Sequence, residues 1–281
     1  MSTPKSGAGG AIRKRVRIKS FPIALTVAGS DSGGGAGIQA DLKTFAALKT
    51  HGTSVITCLT AQNPRGVLGV HVCPAQMVRL QLEAVFGELP PASAKTGMLF
   101  SASIIREVCD FFDRRKYDQL VVDPVMVATS GATLLKPDAL RLIRDRLLPR
   151  CKLVTPNLDE ASLLTGKELR DVEDLRTAER QLHATYGCAA LVKGGHLRGM
   201  NEAIDVFYDG AEELLLSAPY AKGVSTHGTG CTYSAAITAC LARGECLSQA
   251  IRTAKSFITE AIHDSREAAR HTVLHSFWKY F

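Results

Sequence analysis

The sequence predicts an α/β fold in which a mostly parallel central sheet is covered by helices on both faces. Three observations lead there. Short apolar runs of strand length alternate with helical periodicities along most of the chain. The first run passes through a glycine loop directly into a helix, the opening of a βαβ unit. No linker, composition break or internal repeat divides the series, which favours one doubly wound domain over residues 21–265.

Ile23 to Ala28 reads as a buried strand ending at Gly29. Ser30 to Gly37 is then a loop, and Ile38 to Leu48 a helix with apolar residues at 38, 42, 45, 46 and 48. His51 falls near the end of that helix, as a surface or last-turn residue. Val55 to Ala61 is a strand stopped by Gln62-Asn63-Pro64, and Val67 to Val72 is another. A helix from Pro74 to Phe86 leads to the strand Ala92 to Lys95, and a helix from Ser101 to Arg114 to the strand Gln119 to Val122. Lys136-Pro137 opens a helix to Leu148, Leu153 to Thr155 is a strand, and helices follow over 157–165 and 171–186. Cys188 to Val192 is a strand, and 203–208 with 213–216 form a hairpin about Asp209-Gly210. Helices over 228–242 and 245–263 close the body.

Composition narrows the function classes. Hydrophobic residues make up 46% and charged residues 22%, ordinary for a globular protein. The formal net charge of +7 would suit a nucleic-acid binder, yet Lys5, Arg13, Lys14, Arg15, Arg17 and Lys19 carry nearly all of it. The body is almost neutral, so no nucleic-acid partner is expected. The basic leader, residues 1–20, has too little apolar surface to offset ordering and is expected to be disordered. An organellar address or an anionic-surface tether are its other readings. No apolar run reaches the ~18 residues of a membrane span. Eight cysteines without a C-x-x-C pair suggest reduced thiols and a cytoplasmic enzyme. His271 and His275 share a helical spacing but have no third ligand nearby, so no metal site is expected there.

Two glycine segments carry the chemistry. Thr226-His227-Gly228-Thr229-Gly230-Cys231-Thr232 precedes a run without formal charge to Ala242. A loop lacking side-chain bulk at a helix N-terminus can seat an anion, because backbone N–H groups and the helix dipole face it. It can equally be a turn before a core helix. Gly35-Ala36-Gly37-Ile38-Gln39-Ala40 fits the G-x-G-x-x-A dinucleotide pattern, but no Asp or Glu occurs between Asp41 and Glu83 to hold a ribose. A dehydrogenase is thereby disfavoured, and no G-x-x-x-x-G-K-[ST] loop supports a P-loop ATPase.

Asp31, Gln62, Asp123, Asn157, Glu160 and Lys193 all follow predicted strands. Open α/β sheets bind ligands beyond the carboxyl ends of their strands, so these residues are expected to converge. Each also has a plain reading. Asn157 and Glu160 fit a capping box, Asp123 before Pro124 can simply end a strand, Lys193 can be a surface lysine and Gln62 a loop residue.

Seven blocks in order resemble the ribokinase superfamily, most closely its hydroxymethylpyrimidine and phosphomethylpyrimidine kinases. They are Ala28 through Phe45, Ala61-Gln62-Asn63, Lys95 through Leu99, Asp123 through Met126, Thr155 through Ala161, and Lys193 to His196 followed by His227 to Thr232. The likeness spans about residues 22 to 265 and implies a ribokinase-like three-layer α/β/α sandwich. It implies a pyrimidine pocket built by Gly29, Ala36, Asp41, Gln62 and Met98, with Val125 as apolar lining. Gln62 would read the aminopyrimidine edge, offering donor and acceptor together. Asp123, Asn157 and Glu160 would act on magnesium, largely through water, and Lys193 on the ATP phosphates. The backbone of Gly228, Thr229, Gly230 and Cys231 would be the anion hole, with Asp123, Thr229 and Gly230 also on the nucleotide side.

The resemblance therefore implies ATP-dependent phosphorylation of 4-amino-5-hydroxymethyl-2-methylpyrimidine to its monophosphate and then its diphosphate, with Mg2+, by a homodimer. Most relatives place an aspartate base where Cys231 stands, but in this branch a cysteine is expected. A thiol at a helix N-terminus can have a lowered pKa, and its thiolate could take the substrate hydroxyl proton. A pyridoxal kinase is the alternative, against which Gln62 weighs. The tail from about 265 departs from the family, with Ala268 to His275 in place of a glycine- and proline-containing segment. The tail, including Phe277, Trp278, Tyr280 and Phe281, is expected to dock on the body or on a partner subunit.

Overall fold

A strand that is apolar on both faces must lie inside a sheet covered on both sides, and β1 (Ile23–Asp31) is such a strand, buried from Ala24 to Gly29. The computed structural model describes residues 20–126, 135–195, 197, 201–221 and 227–277. Residues 1–19 of the leader, His196, Trp278, Tyr280 and Phe281 lie outside the described residues.

The strands after β1 are β2 (His51–Asn63), β3 (Gly66–Val72), β4 (Ser93–Thr96), β5 (Leu120–Val122), β6 (Leu153–Val154), β7 (Ala189–Gly194), β8 (Glu202–Tyr208) and β9 (Glu213–Pro219). They form one nine-stranded sheet in the order β3-β2-β1-β4-β5-β6-β7-β8-β9. The six strands from β2 to β7 are parallel; β3, β8 and β9 are antiparallel additions at the two edges. The helices are α1 (Gly37–Ala47), α2 (Ala75–Glu88), α3 (Ala102–Arg115), α4 (Pro137–Leu142), α5 (Leu158–Thr165), α6 (Val172–Tyr186), α7 (Thr229–Ala242) and α8 (Leu247–His263). Helices α1, α7 and α8 build the core on one face, around Phe45, Ala235, Ile237 and Phe257. Helices α2 to α6 build the other, around Leu82, Ile104, Phe112, Ile143 and Leu182. This is the expected three-layer sandwich.

Strands β2, β7 and β9 run on to Asn63, Gly194 and Pro219, past their expected ends, so Gln62 and Lys193 stand within strands, and four further differences have identifiable reasons. β1 continues past Gly29 because Ser30 and Asp31 pair with Leu59 and Thr60 across a register shift. His51 belongs to β2, not to the first helix: α1 stops before Leu48, and the His51 N–H donates to the Pro22 carbonyl to begin parallel pairing. The helix expected from Pro137 to Leu148 breaks into α4, a wider π turn over Ile143–Leu147 and a 3-10 turn over Leu148–Arg150. Pro149 has no N–H for the ladder, so the turns before it shift register. The tail folds back as the hairpin β10 (Arg266–Ala268) and β11 (His271–Val273), Leu274 and Phe277 pack on the α1/α7/α8 core, and His275 bonds Asp264 at 2.6 Å. The described part of the tail thus docks on the body, as expected.

All eight cysteines are free thiols, five of them buried. Among the described residues no helix is long and apolar enough to cross a membrane.

One buried charge works against this fold. Glu179 on α6 is fully buried, and neither carboxylate oxygen has a hydrogen-bond partner among the described residues. Burial, with Glu213 nearby, raises its pKa to about 8. Because that value exceeds the unfolded one, its contribution is fully present below the unfolded pKa and is lost as pH rises through about 8. E179Q should therefore melt several degrees above wild type at pH 8.5 and close to it at pH 4.5, as thermal unfolding followed by circular dichroism will show.

Candidate active site

The glycine loop after β1 is wound around one carboxylate. Asp31 Oδ1 accepts from Gly33 N at 2.8 Å, and Oδ2 accepts from Gly35 N at 3.1 Å and Ala36 N at 2.8 Å. The Lys43 ammonium donates to the Gly34 carbonyl, and Ser32 is locked to the Gln62 backbone by two hydrogen bonds of 2.7 and 2.8 Å. Gly37 has φ +56, and a Cβ there would lie 2.3 Å from the Gly29 carbonyl oxygen. Only glycine allows α1 to start so close beneath β1.

Parallel neighbours β5, β6 and β7 bring the second group together at their carboxyl ends. Lys193 Nζ lies 3.0 Å from Asp123 Oδ1, and both side chains are mostly buried. Ser234 on α7 donates to Asp123 Oδ2 at 3.2 Å. Asn157 bridges to Lys193 in parallel register and caps α5 as expected, its side chain accepting from Glu160 N at 2.9 Å. Glu160 accepts from Asn157 N at 3.0 Å and Met126 N at 3.1 Å. Burial opposes the charge on Lys193, but Asp123 and Glu160 outweigh it and hold the ammonium above its ordinary pKa. Burial likewise opposes the charge on Asp123, and Lys193 with Lys95 reverse it to a lowered value. Glu160 is raised to about 7 by burial, against Lys193.

Helix α7 closes the site. It is buried on all sides from Thr232 to Ala242, which explains its uncharged sequence, and its first turn faces the strand ends. Gly228 has φ +82, and a Cβ there would stand 1.8 Å from the Gly35 carbonyl oxygen, so the two glycine loops touch backbone to backbone. A Cβ on Gly230 would lie 3.3 Å from Lys193 Nζ and 4.0 Å from Asp123 Oδ2. The Thr229 hydroxyl oxygen is buried with no hydrogen-bond partner among the described residues. Cys231 is partly buried, and burial pushes its thiol up to about 11 despite the lowering by Lys95. The lowered pKa expected for a thiol at a helix N-terminus is thus not found; desolvation exceeds the local field.

On the other side of the crevice, Gly29 faces Met98: a Cβ on Gly29 would lie 2.8 Å from both Met98 Cε and Cys58 Sγ. Ala36 is the N-cap of α1. Gln62 is part-exposed at the end of β2, with Nε2 3.3 Å from His227 Nε2. Val125 follows β5 with φ +43, a strained backbone for a β-branched residue, next to buried Met126. Asp41 lies deeper than the sequence reading placed it. It has no exposed surface, and its oxygens are held by Lys95 Nζ at 2.9 Å and Thr26 Oγ1 at 2.6 Å.

The sequence reading did not single out the scaffold work of Asp31, the closure by His227, or Lys95 and Ser234. Asp31 preceding glycines is a local turn signal, and His227 abuts the anion loop in sequence. His227 Nε2 lies 3.5 Å from Asp31 Oδ2 and joins that loop to Gln62. Ser234 carries no local signal, and Lys95, although it opens the Lys95 to Leu99 block, is read there only as the end of a strand; both reach the site through strand order and helix packing.

The profile of the family described as Phosphomethylpyrimidine kinase matches residues 31–274. The chain belongs to that family. It is 50% identical over 242 residues to the hydroxymethylpyrimidine/phosphomethylpyrimidine kinase of Rhizobium meliloti, covering 85% of this chain and 90% of the relative. It is 48% identical over 246 residues to the thiamine biosynthesis bifunctional protein ThiED of Geobacter sulfurreducens, covering 88% of this chain but only half of that longer protein. Among solved structures it is similar to an ADP complex of Bacillus subtilis pyridoxal kinase, with TM-score 0.86, 37% identity, 93% of this chain and 100% of that one. The pyridoxal kinase of Staphylococcus aureus with AMP-PCP and pyridoxal superposes with TM-score 0.84 at 30% identity, over 93% and 96% of the two chains.

The residues of this kinase fit a nucleotide. The orphaned Thr229 hydroxyl, a cradle at Gly228 and Gly230 that a Cβ would fill, and a buried ammonium beside them suit phosphate oxygens. Magnesium fits through water: Asp123, Asn157 and Glu160 are already bonded within the protein, and among the described residues no cluster of three His, Cys, Asp or Glu forms a metal cage.

Two substitutions probe this geometry. G228A should lower kcat/KM at least a hundredfold, because the added carbon meets the Gly35 carbonyl and the backbone is left-handed. D31A leaves three loop N–H groups without their acceptor and should cost about tenfold to a hundredfold in kcat/KM at charge-assisted hydrogen-bond strength. Steady-state ADP release measures both.

Proposed function

We propose that the strand-end crevice transfers the γ-phosphoryl group of ATP first to the hydroxymethyl oxygen of 4-amino-5-hydroxymethyl-2-methylpyrimidine and then to a phosphate oxygen of the monophosphate. The observation that carries this reading is the convergence of the Lys193–Asp123 pair on Gly230 at the start of α7, opposite the Gly29, Met98 and Gln62 side. In the first step the substrate oxygen bonds to the γ-phosphorus, the bond to the bridging oxygen breaks, ADP leaves and the hydroxyl proton passes to the thiolate form of Cys231. That form has first released its own proton to water and is a small fraction at neutral pH, because burial holds the thiol at about 11. In the second step the nucleophile is already an anion and gives up no proton.

Gly228, Thr229 and Gly230 present backbone N–H groups where charge develops, and Lys193 neutralises it. Magnesium, held through water by Asp123, Asn157 and Glu160, would supply further charge stabilisation on the phosphates. Gln62 reads the ring edge, Gly29, Ala36, Met98 and Val125 line the pocket, and Asp41 acts from beneath it through Lys95. The domain spans 21–265. The reading places the enzyme in the cytoplasm, consistent with eight free thiols. It also assigns a homodimer, supported by the exposed Leu59, Val67, Leu68 and Val70 along the β2–β3 edge.

ADP release with hydroxymethylpyrimidine, its monophosphate, pyridoxal and ribose tests the substrate. Turnover of both pyrimidines is expected; turnover of pyridoxal alone would replace this reading with the pyridoxal kinase one that the structural likeness also offers. C231A should slow phosphorylation of the alcohol at least tenfold more than that of the monophosphate. Equal losses would leave catalysis to the loop backbone.

A further inference from the structure

A buried ion pair joins α8 to β8 beside the end of β7. The buried face of α8 is formed by Ala250, Ile251, Ala254, Phe257, Ile258 and Ala261, and Lys255 is its only charged member. The Lys255 ammonium donates to Asp205 Oδ2 on β8 at 2.7 Å and to the Ala203 carbonyl at 3.0 Å, and both side chains are mostly buried. The second carboxylate oxygen of Asp205 turns to the neighbouring strand and accepts from Gly194 N at 3.1 Å.

Gly194 follows Lys193 directly. Strands β7 and β8 run antiparallel with Lys193 opposite Asp205, so the two side chains stand on one face of the sheet. Burial raises the pKa of Asp205, with Lys255 foremost and Lys193 last among the groups that oppose it. Lys193 N donates to the Pro156 carbonyl at 2.9 Å on the β6 side, and Asp205 takes the next N–H on the β8 side. A Cβ on Gly194 would lie 2.3 Å from the Ile204 carbonyl oxygen and 2.5 Å from Leu175 Cδ2, so the backbone is closely confined there. The end of β7 is thus pinned from both neighbours, within one residue of the ammonium that meets Asp123 at 3.0 Å and faces Gly230.

A buried ion pair adds little stability relative to a well-packed apolar pair, so fold stability alone gives little reason for a charge in the apolar face of α8. Placement of a reacting group is a stronger one, since a shift of about 1 Å can cost on the order of a hundredfold in rate. We propose that Asp205, oriented by Lys255, is a positioning residue for phosphoryl transfer: its carboxylate holds the Gly194 N–H and so fixes where the Lys193 ammonium meets the nucleotide. The inference rests on the reading of Lys193 as the cation on the ATP phosphates.

Two double variants separate positioning from support of the fold. D205N/K255M removes both charges and keeps a side-chain oxygen for the Gly194 N–H, whereas D205L/K255M removes both charges and the oxygen together. D205L/K255M should lose roughly tenfold to a hundredfold in kcat and bind AMP-PCP several-fold more weakly by calorimetry, with hydroxymethylpyrimidine affinity within about threefold of wild type. D205N/K255M should stay within about threefold of wild type in all three. Equal kinetics and equal AMP-PCP affinity in the two variants, both with native near-UV spectra, would overturn the proposal. If D205L/K255M does not fold, hydrogen exchange at the Gly194 amide of the wild-type chain decides: protection of at least about a hundredfold supports the bond to Asp205, and exchange at the free-peptide rate overturns it. K193M in the same assay keeps the two readings apart. Should K193M turn over like wild type, the role of Lys193 fails and this inference with it; should K193M be inactive while the double variants agree, only the role of Asp205 fails.

Discussion

The ion pair between Lys193 and Asp123 is the interaction on which the site depends. Two opposite charges 3.0 Å apart and largely out of water persist only if their other hydrogen-bonding capacity is met, and the Ser234 and Thr155 hydroxyls help to meet it on Asp123 while Glu160 adds a second negative charge near Lys193. Asp123 comes from the end of β5, Lys193 from β7, and Asn157 and Glu160 from the turn after β6 that lies between them. Parallel pairing of three adjacent strands thus delivers four functional side chains to one edge without a contiguous motif.

Contact between two backbones sets the second constraint. The loop after β1 is shaped by the Asp31 carboxylate, and the loop before α7 meets it at Gly228. Any side chain there would push the anion seat away from Lys193. The same approach brings His227 against Asp31 and Gln62, which ties the start of α7 to the loop after β1 and to the end of β2.

Much of this was legible in the sequence because its causes are local or periodic. Strand runs, capping at Asn157 and the glycine loops follow from neighbouring residues, and strand-end placement follows from the fold class. What escaped depends on packing. Asp41 reads as a pocket residue near the substrate until its bonds to Lys95 on β4 and Thr26 on β1 are seen. Cys231 reads as an activated thiol until its desolvation is included. The α-helix ends at Leu142, six residues before the expected end at Leu148, because Pro149 has no N–H to continue the ladder.

The central claim is that the Lys193 ammonium serves the transferred phosphoryl group rather than the fold. Replacement by methionine keeps the length of the side chain and removes the charge. With saturating ATP and hydroxymethylpyrimidine, K193M should lose at least a hundredfold in kcat while binding of the pyrimidine, measured by calorimetry, stays within about threefold of wild type. A folded K193M enzyme that turns over at the wild-type rate would contradict the account.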